Sequence, residues 1–396
     1  MLIRDNSRER SFPKNFVTPS IPSMSIRHPI LLFSLLLFPI LAQSAPERFY
    51  LGVYTGPGKG EGIYTSVLDP ATGRLGPVVL AVKANGPGYL AYSRDGSHLY
   101  AVTSDDGGSV SAYAIGKDGM LTFLNRVSSG GAGPTHLSVD PSGKNLLVAN
   151  YSAGNIACIR INPDGSLGDR TSMVNFTGSG PDPVRQKKPF AHCIFADNTG
   201  QFIYACDLGT DHVWSYHFDA AAGHFEGLTD TQGSVPPGGG ARHLAFGPGQ
   251  NFAYVNNEMG RAITVFRRDK TTGSLAAIQT LPLVPGAGPA AGITTAETVC
   301  HPSGKWLYVS SRGDDIIAVF AIGADGKLAF VQDVPSVVKF PRGFDIDPSG
   351  RWLVAAGQND DQIAAFAIAQ DSGKLTPAAQ QAKVPSPVCV LFALAP

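Results

Sequence analysis

The stretch His136-Leu-Ser-Val-Asp-Pro-Ser-Gly-Lys-Asn-Leu-Leu-Val-Ala-Asn-Tyr151 reads as strand, tight turn, strand and polar end. The turn has a mechanism. Asp bonds its own backbone, Pro presets φ, and Gly supplies the positive φ that closes the reversal. The same pattern recurs at Leu90–Thr103, His192–Asp207, His243–Glu258, Thr298–Arg312 and Phe344–Gly357. The turn glycines Gly96, Gly143, Gly200, Gly249, Gly304 and Gly350 lie 47, 57, 49, 55 and 46 residues apart. Each unit runs on into a third strand, such as Ala262-Ile-Thr-Val-Phe-Arg267 or Ile317–Ile322. A second turn follows, such as Lys117-Asp-Gly119 or Ala324-Asp-Gly326, and then a weaker fourth strand. Four short strands repeated every ~50 residues are the signature of a propeller blade.

A seventh unit is split. Arg48–Tyr54 and Gly62–Leu68 open the repeat region, and Val388-Cys-Val-Leu-Phe-Ala-Leu394 closes it. Pairing the C-terminal strand beside the N-terminal ones completes a ring and hides two sheet edges. The expected fold is therefore all-β: a seven-bladed propeller of four-stranded antiparallel blades, with the last blade closed between the two termini. A parallel β-helix is the structural rival, but its rungs are much shorter.

Composition agrees. Gly and Pro number 46 and 30 of 396 residues, about 19%, against a usual share of roughly 12%. So many turn-formers suit a chain that reverses often, not a helical bundle. Thirty-one basic and 31 acidic residues cancel, which argues against a nucleic-acid binder and its basic footprint. Low charge with 43% hydrophobic residues argues against disorder. Residues 1–45 stand apart. The basic Met24-Ser-Ile-Arg-His28, the apolar Ile30–Leu41 and the small residues around Ser44 read as a secretory signal peptide. Met24 is then the expected true start, and cleavage after Ser44 is expected. The apolar run is shorter than the ~20 residues that span a membrane; an uncleaved anchor is the alternative. The domain plan is thus 1–45 as extension and signal, and 46–396 as an exported propeller, expected in a bacterial periplasm as a monomer with no membrane contact beyond the signal. The five cysteines are odd in number and do not form a disulfide scaffold. Cys193 and Cys206 face each other across a hairpin, either bridged or as buried thiols.

Topology also locates the site. The first two strands of a blade form an antiparallel hairpin. The start of strand one and the end of strand two therefore share one mouth of the central channel. Those positions hold His136 with Asn150 and Tyr151; His192 with Asp207; Arg242 and His243 with Asn257 and Glu258; Glu297 with Arg312; and Arg342 with Gln358. The opposite ends carry only turns. Such a concentration of ionisable groups reads either as a site or as an inter-blade ion-pair network, for example Arg242 with Glu258 or Glu297 with Arg312.

The runs Cys206-Asp-Leu-Gly-Thr-Asp211, Ala241-Arg-His-Leu-Ala-Phe246, Tyr254-Val-Asn-Asn-Glu258 and Leu307-Tyr-Val-Ser-Ser-Arg-Gly313 resemble the seven-bladed β-propeller lactonase family. That family includes propeller-type 6-phosphogluconolactonases and carboxymuconate lactonising enzymes. The resemblance spans about Arg48 to the C-terminus. It implies a catalytic His, Arg, Glu and second Arg, which fall on His192, Arg242, Glu258 and Arg312. His136, His243, Asn257, Glu297 and Arg342 are the expected substrate-binding neighbours. One departure is that many relatives have His-x-His where this chain has Phe190-Ala191-His192. Lactone opening passes through an oxyanion that fixed cations stabilise, with Arg242 and Arg312 the candidates. Water attack needs a general base, either Glu258 or His192. No Gly-x-Ser-x-Gly nucleophile elbow is present, so no covalent intermediate is expected. The expected partner is a small-molecule lactone, with no cofactor and no metal. Glu258, Asn257, Asp207 and Glu297 offer the oxygen ligands for a calcium alternative. An exported protein is unsuited to a cytoplasmic sugar-phosphate lactone. The rival functions are a non-catalytic binding propeller and a lactonising cycloisomerase.

Overall fold

The computed structural model describes residues 18–22, 45–103, 107–230 and 232–393. Two compact units divide the chain, Met1–Ala42 and Gln43–Pro396. In the first, only the exposed, strandless residues 18–22 are described. The signal peptide and the start at Met24 fall outside the described residues, as does Leu394. The second unit consists of seven antiparallel sheets. Six contain four consecutive strands each, and one of these gains the short Gly233–Ser234 strand at its edge. The seventh sheet is ordered Pro387–Phe392, Glu47–Val53, Gly62–Leu68, Val79–Lys83. Here Phe49 pairs with Phe392 and Leu51 with Val390, so the C-terminal strand closes the ring.

The first strand of each blade lines the channel. These inner strands are Leu90–Tyr92, Pro134–Val139, Ala191–Ala196, Ala241–Phe246, Thr294–Cys300, Pro341–Ile346 and Pro387–Phe392, in blades 1 to 7. Each contacts the inner strand of the next blade around a full circle. The hairpin turns form as their residues dictate. Asp140 Oδ1 accepts from the amides of Lys144 and Asn145, and Asp197 Oδ1 from those of Gln201 and Phe202. Gly143 and Gly200 sit at φ 72° and 70°, where a Cβ is disfavoured.

The apolar core lies between blades. Between blades 3 and 4, for example, Tyr204 and Val213 pack with Leu244, Val255 and Phe266. A repeated polar pin crosses the same seams. The hydroxyls of Tyr50, Tyr100, Tyr204 and Tyr308 donate to the carbonyls of Gly119, Gly165, Gly273 and Gly373 at 2.8–3.1 Å. Tyr254 holds the equivalent place, but its buried hydroxyl has no partner. Tyr308→Phe is expected to destabilise by about 1–3 kcal/mol because it orphans the Gly373 carbonyl. Tyr254→Phe removes an unsatisfied group and is expected to be neutral or stabilising. Urea denaturation of the two variants checks the contrast; equal losses would contradict it.

Cys193 and Cys206 are register partners across their hairpin, and both are buried free thiols. Burial, with the neighbouring Cys193 second, lifts the Cys206 thiol well above its ordinary range. No helix among the described residues is long and apolar enough to cross a membrane.

Candidate active site

The inner strands share a local feature at the channel mouth. Pairing with the second strand slips at Pro134/His136, Ala191/Cys193, Ala241/Leu244, Thr295/Thr298 and Pro341/Gly343. Such bulges re-aim side chains. The slipped residues are Thr135, His192, Arg242 with His243, Ala296 with Glu297, and Arg342. Second-strand side chains hold two of the freed amides. Asn256 Oδ1 accepts from the His243 amide at 2.8 Å, and Ser310 Oγ from the Glu297 amide at 2.9 Å.

A pocket of about 340 Å³ opens among Tyr54, Thr135, Tyr151, Arg185, His192, Glu258, Arg312 and Arg342. A recess of about 130 Å³ adjoins it through Tyr54, Thr135 and Arg342. Glu258 is the anchor. Its Oε1 lies 2.6 Å from Arg185 Nη2 and 3.2 Å from Arg312 Nη2, and its Oε2 lies 2.8 Å from Arg242 Nε. Burial raises the Glu258 carboxyl, but Arg312, Arg242 and Arg185 outweigh it and bring it down to about 2. The Arg342 guanidinium lies over the Tyr54 ring, 5.5 Å from its centre. Four guanidiniums thus surround the site against one carboxylate.

His192 forms part of the wall and is only 4% exposed. Burial, then the charge of Arg242 and the neighbouring His243, holds it well below the ordinary histidine value, so it is neutral. Its Nδ1 is buried without a partner, which leaves Nε2 for the pocket. Beneath lies a plug of rings. His243 stands 5.1 Å from His192 and 5.5 Å from His136, and the tilted Tyr89 ring lies 4.2 Å from His136. Past the plug, a second cavity of about 280 Å³ is lined by the turn-side halves of the inner strands, with His243, Glu297 and Asp345 on its wall. Burial lifts Glu297 and Asp345 to about 7 each. Glu297 Oε1 lies 2.6 Å from His243 Nδ1.

A family model described as "Lactonase, 7-bladed beta-propeller" matches residues 48–392. The chain belongs to the seven-bladed β-propeller lactonase family. It is 35% identical over 354 residues to the 6-phosphogluconolactonase of Bacillus subtilis, covering 87% of this chain and 97% of that relative. Among solved structures it is similar to the Pseudomonas aeruginosa periplasmic gluconolactonase PpgL. That likeness has a TM-score of 0.81 at 29% identity, covering 89% of this chain and 100% of the other. A Lactobacillus plantarum protein matches with the same TM-score of 0.81 at 31% identity, over 88% and 99% of the two chains.

In this member of the lactonase family, His192, Glu258, Arg312 and Arg342 share the pocket wall. Arg242 does not reach it. Its side chain runs behind Glu258, 1% exposed, and Nη1 donates to the Ala296 carbonyl of the next blade. Arg242 is thus placed to position Glu258, not to face a ligand. Of the two anticipated ion pairs, Arg242–Glu258 forms, while Arg312 turns to Glu258 and Glu297 turns to His243. His243 and Glu297 lie on the second cavity, and His136 is buried in the plug. Asn257 bonds Thr264 inside its own blade, at 3.0 Å. Asp207 clamps the Phe190 and Gly209 amides. Among the described residues no group of three or more His, Cys, Asp or Glu could hold a metal ion.

Sequence reasoning missed Tyr54, Thr135 and Arg185. Arg185 sits in the long connection between blades 2 and 3, residues 176–190. That loop is built. Asp182 Oδ1 accepts from the Val184 and Arg185 amides, and buried Gln186 donates to Leu208 O and Asp211 Oδ1. A signal was present. The spacing of 57 between Gly143 and Gly200 exceeds the preceding 47 by ten residues, and the excess carries Arg185, Lys187 and Lys188.

Proposed function

We propose that the chain hydrolyses lactones bearing an anionic group, with His192 as general base and Arg312 and Arg342 at the developing oxyanion. One observation carries this reading: three guanidiniums, those of Arg185, Arg312 and Arg342, share a pocket wall with one carboxylate and a neutral, buried imidazole. His192 Nε2 takes a proton from water as the water oxygen attacks the lactone carbonyl. The oxyanion forms against fixed guanidiniums. Its collapse expels the ring alkoxide, which recovers the proton from Nε2–H, and the product is a hydroxy acid. Glu258, at about 2, is too weak a base for this step near neutral pH and instead holds Arg185 and Arg312 in place. The excess positive charge favours a carboxylate or phosphate on the substrate, and Arg185 and the recess near Tyr54 are available to receive it.

Export belongs to the same proposal. The Ile30–Leu41 run reads as a signal peptide, and the name of the similar Pseudomonas protein contains the word periplasmic. The test is a pH-stat panel pairing neutral and carboxylated lactones of equal ring size. A lower KM for the acidic partner of each pair is expected. No hydrolysis of any member, or equal kcat/KM within every pair, would remove the proposal.

A further inference from the structure

Three groups run in a file from the second cavity to the pocket. Glu297, His243 and His192 come from the inner strands of three consecutive blades, each at the slipped position. Glu297 Oε1 meets His243 Nδ1 at 2.6 Å and also accepts the Thr298 amide at 3.0 Å. The His243 ring then faces the His192 ring edge-on, with 5.1 Å between centroids. A ring nitrogen lies about 1.1 Å from its centroid, so a 5.1 Å separation admits an N–H···N bond of about 2.9 Å once the rings turn their nitrogens toward each other. On the other flank, His136 Nδ1 accepts the Ile194 amide at 3.3 Å, which places its proton on Nε2. The His136 Nε2 and His192 Nδ1 atoms are both buried without partners.

Resting on His192 as the base, we infer that Glu297 and His243 are positioning residues that fix which nitrogen of His192 is basic. The logic is tautomeric. Ionised Glu297 accepts the Nδ1–H of His243. The Nε2 of His243 then carries a lone pair and no proton. His192 donates its Nδ1–H to that lone pair through a small rotation, and its Nε2 is left basic toward the pocket. No proton leaves the file and no charge is created in it. If His243 were protonated on Nε2 instead, it would present a donor to His192, and the basic nitrogen of His192 would turn into the plug. Neither Glu297 nor His243 lies on the wall of the substrate pocket, so the pair acts on rate and not on ligand binding.

The test is made at pH 8, above the value to which burial lifts Glu297, on the full mature protein. Glu297→Gln keeps shape but loses the charge that selects the tautomer; His243→Gln is measured beside it. Each is expected to lower kcat about 10–100-fold, the range for lost outer partners of a functional His, with KM within twofold. Long-range ¹H–¹⁵N spectra of histidine-labelled protein, assigned with His192→Gln, should show the ring proton of His192 on Nδ1 in wild type. In Glu297→Gln it should shift to Nε2 or exchange between the two. In a His192→Gln background, Glu297→Gln should change kcat by less than twofold. If His192→Gln is inactive while Glu297→Gln keeps the wild-type kcat and the His192 tautomer, the positioning role is overturned and the base remains. If His192→Gln keeps its activity, the base assignment itself fails. A change in thermal midpoint with no movement of the tautomer would assign Glu297 a packing role only.

Discussion

His192→Gln is expected to fold normally and to open lactones at least a hundredfold more slowly. A positioned general base contributes about 10²–10⁴-fold, and an amide cannot take a proton from water at neutral pH. Stability should change little, for two reasons. The imidazole is already neutral, since burial and then Arg242 and His243 hold it well below its ordinary value, so no charge is lost. The Gln side-chain amide also offers His243 an N–H donor, so the bond inferred for the Nδ1–H of His192 has a replacement. The measurement is kcat by pH-stat together with the thermal midpoint of the same sample. A kcat within threefold of wild type, in a variant with an unchanged midpoint, would end the assignment. The same pairing of readouts on Arg312→Lys tests the cation. A point charge lacks the planar guanidinium, whose Nη2 meets both Glu258 Oε1 and the Thr295 carbonyl in Arg312.

The fold was readable because its determinants are local. Each Asp-x-Ser/Thr-Gly turn satisfies its own backbone, and the period of about 50 residues names the architecture without reference to packing. The mouth was readable for a topological reason: register ties Ala191 to Asp207, Ala241 to Asn257 and Thr294 to Arg312. What the pattern could not supply was the direction of each side chain beyond the bulge. A strand alternates with a period of two, and one extra residue resets that phase. The resets at Arg242–His243 and Ala296–Glu297 send Arg242 behind Glu258 and Glu297 to His243. The ionic arrangement therefore differs from a reading that pairs neighbours by proximity in the repeat. Arg185 lay beyond reach for another reason. It belongs to an inter-blade insertion, where no repeat supplies a register. Two of the three cations that contact Glu258 are thus set by geometry that hydropathy and spacing do not encode.

Glu258→Gln should cost more stability than any other single change at the site. Among the described residues this carboxylate pairs with all three of Arg185, Arg242 and Arg312. The substitution keeps its shape but leaves Arg242, 1% exposed, without its ion-pair partner. Removing one partner of a buried ion pair typically costs about 3–5 kcal/mol. Activity should also fall, because Arg312 and Arg185 lose the group that fixes their positions. Acid titration separates this account from one in which Glu258 is the catalytic base. Its folded value of about 2 lies below its ordinary 4.5. The stability it confers is therefore complete above 4.5 and is lost as pH falls toward 2. Wild type should show that loss in urea midpoints measured across the interval, and Glu258→Gln should show a shallower slope there. A catalytic base at this position would predict the reverse pattern: a midpoint near wild type at neutral pH, with turnover alone abolished. A Glu258→Gln protein as stable as wild type at pH 7, with the same acid slope, would show that the three arginines do not depend on this carboxylate.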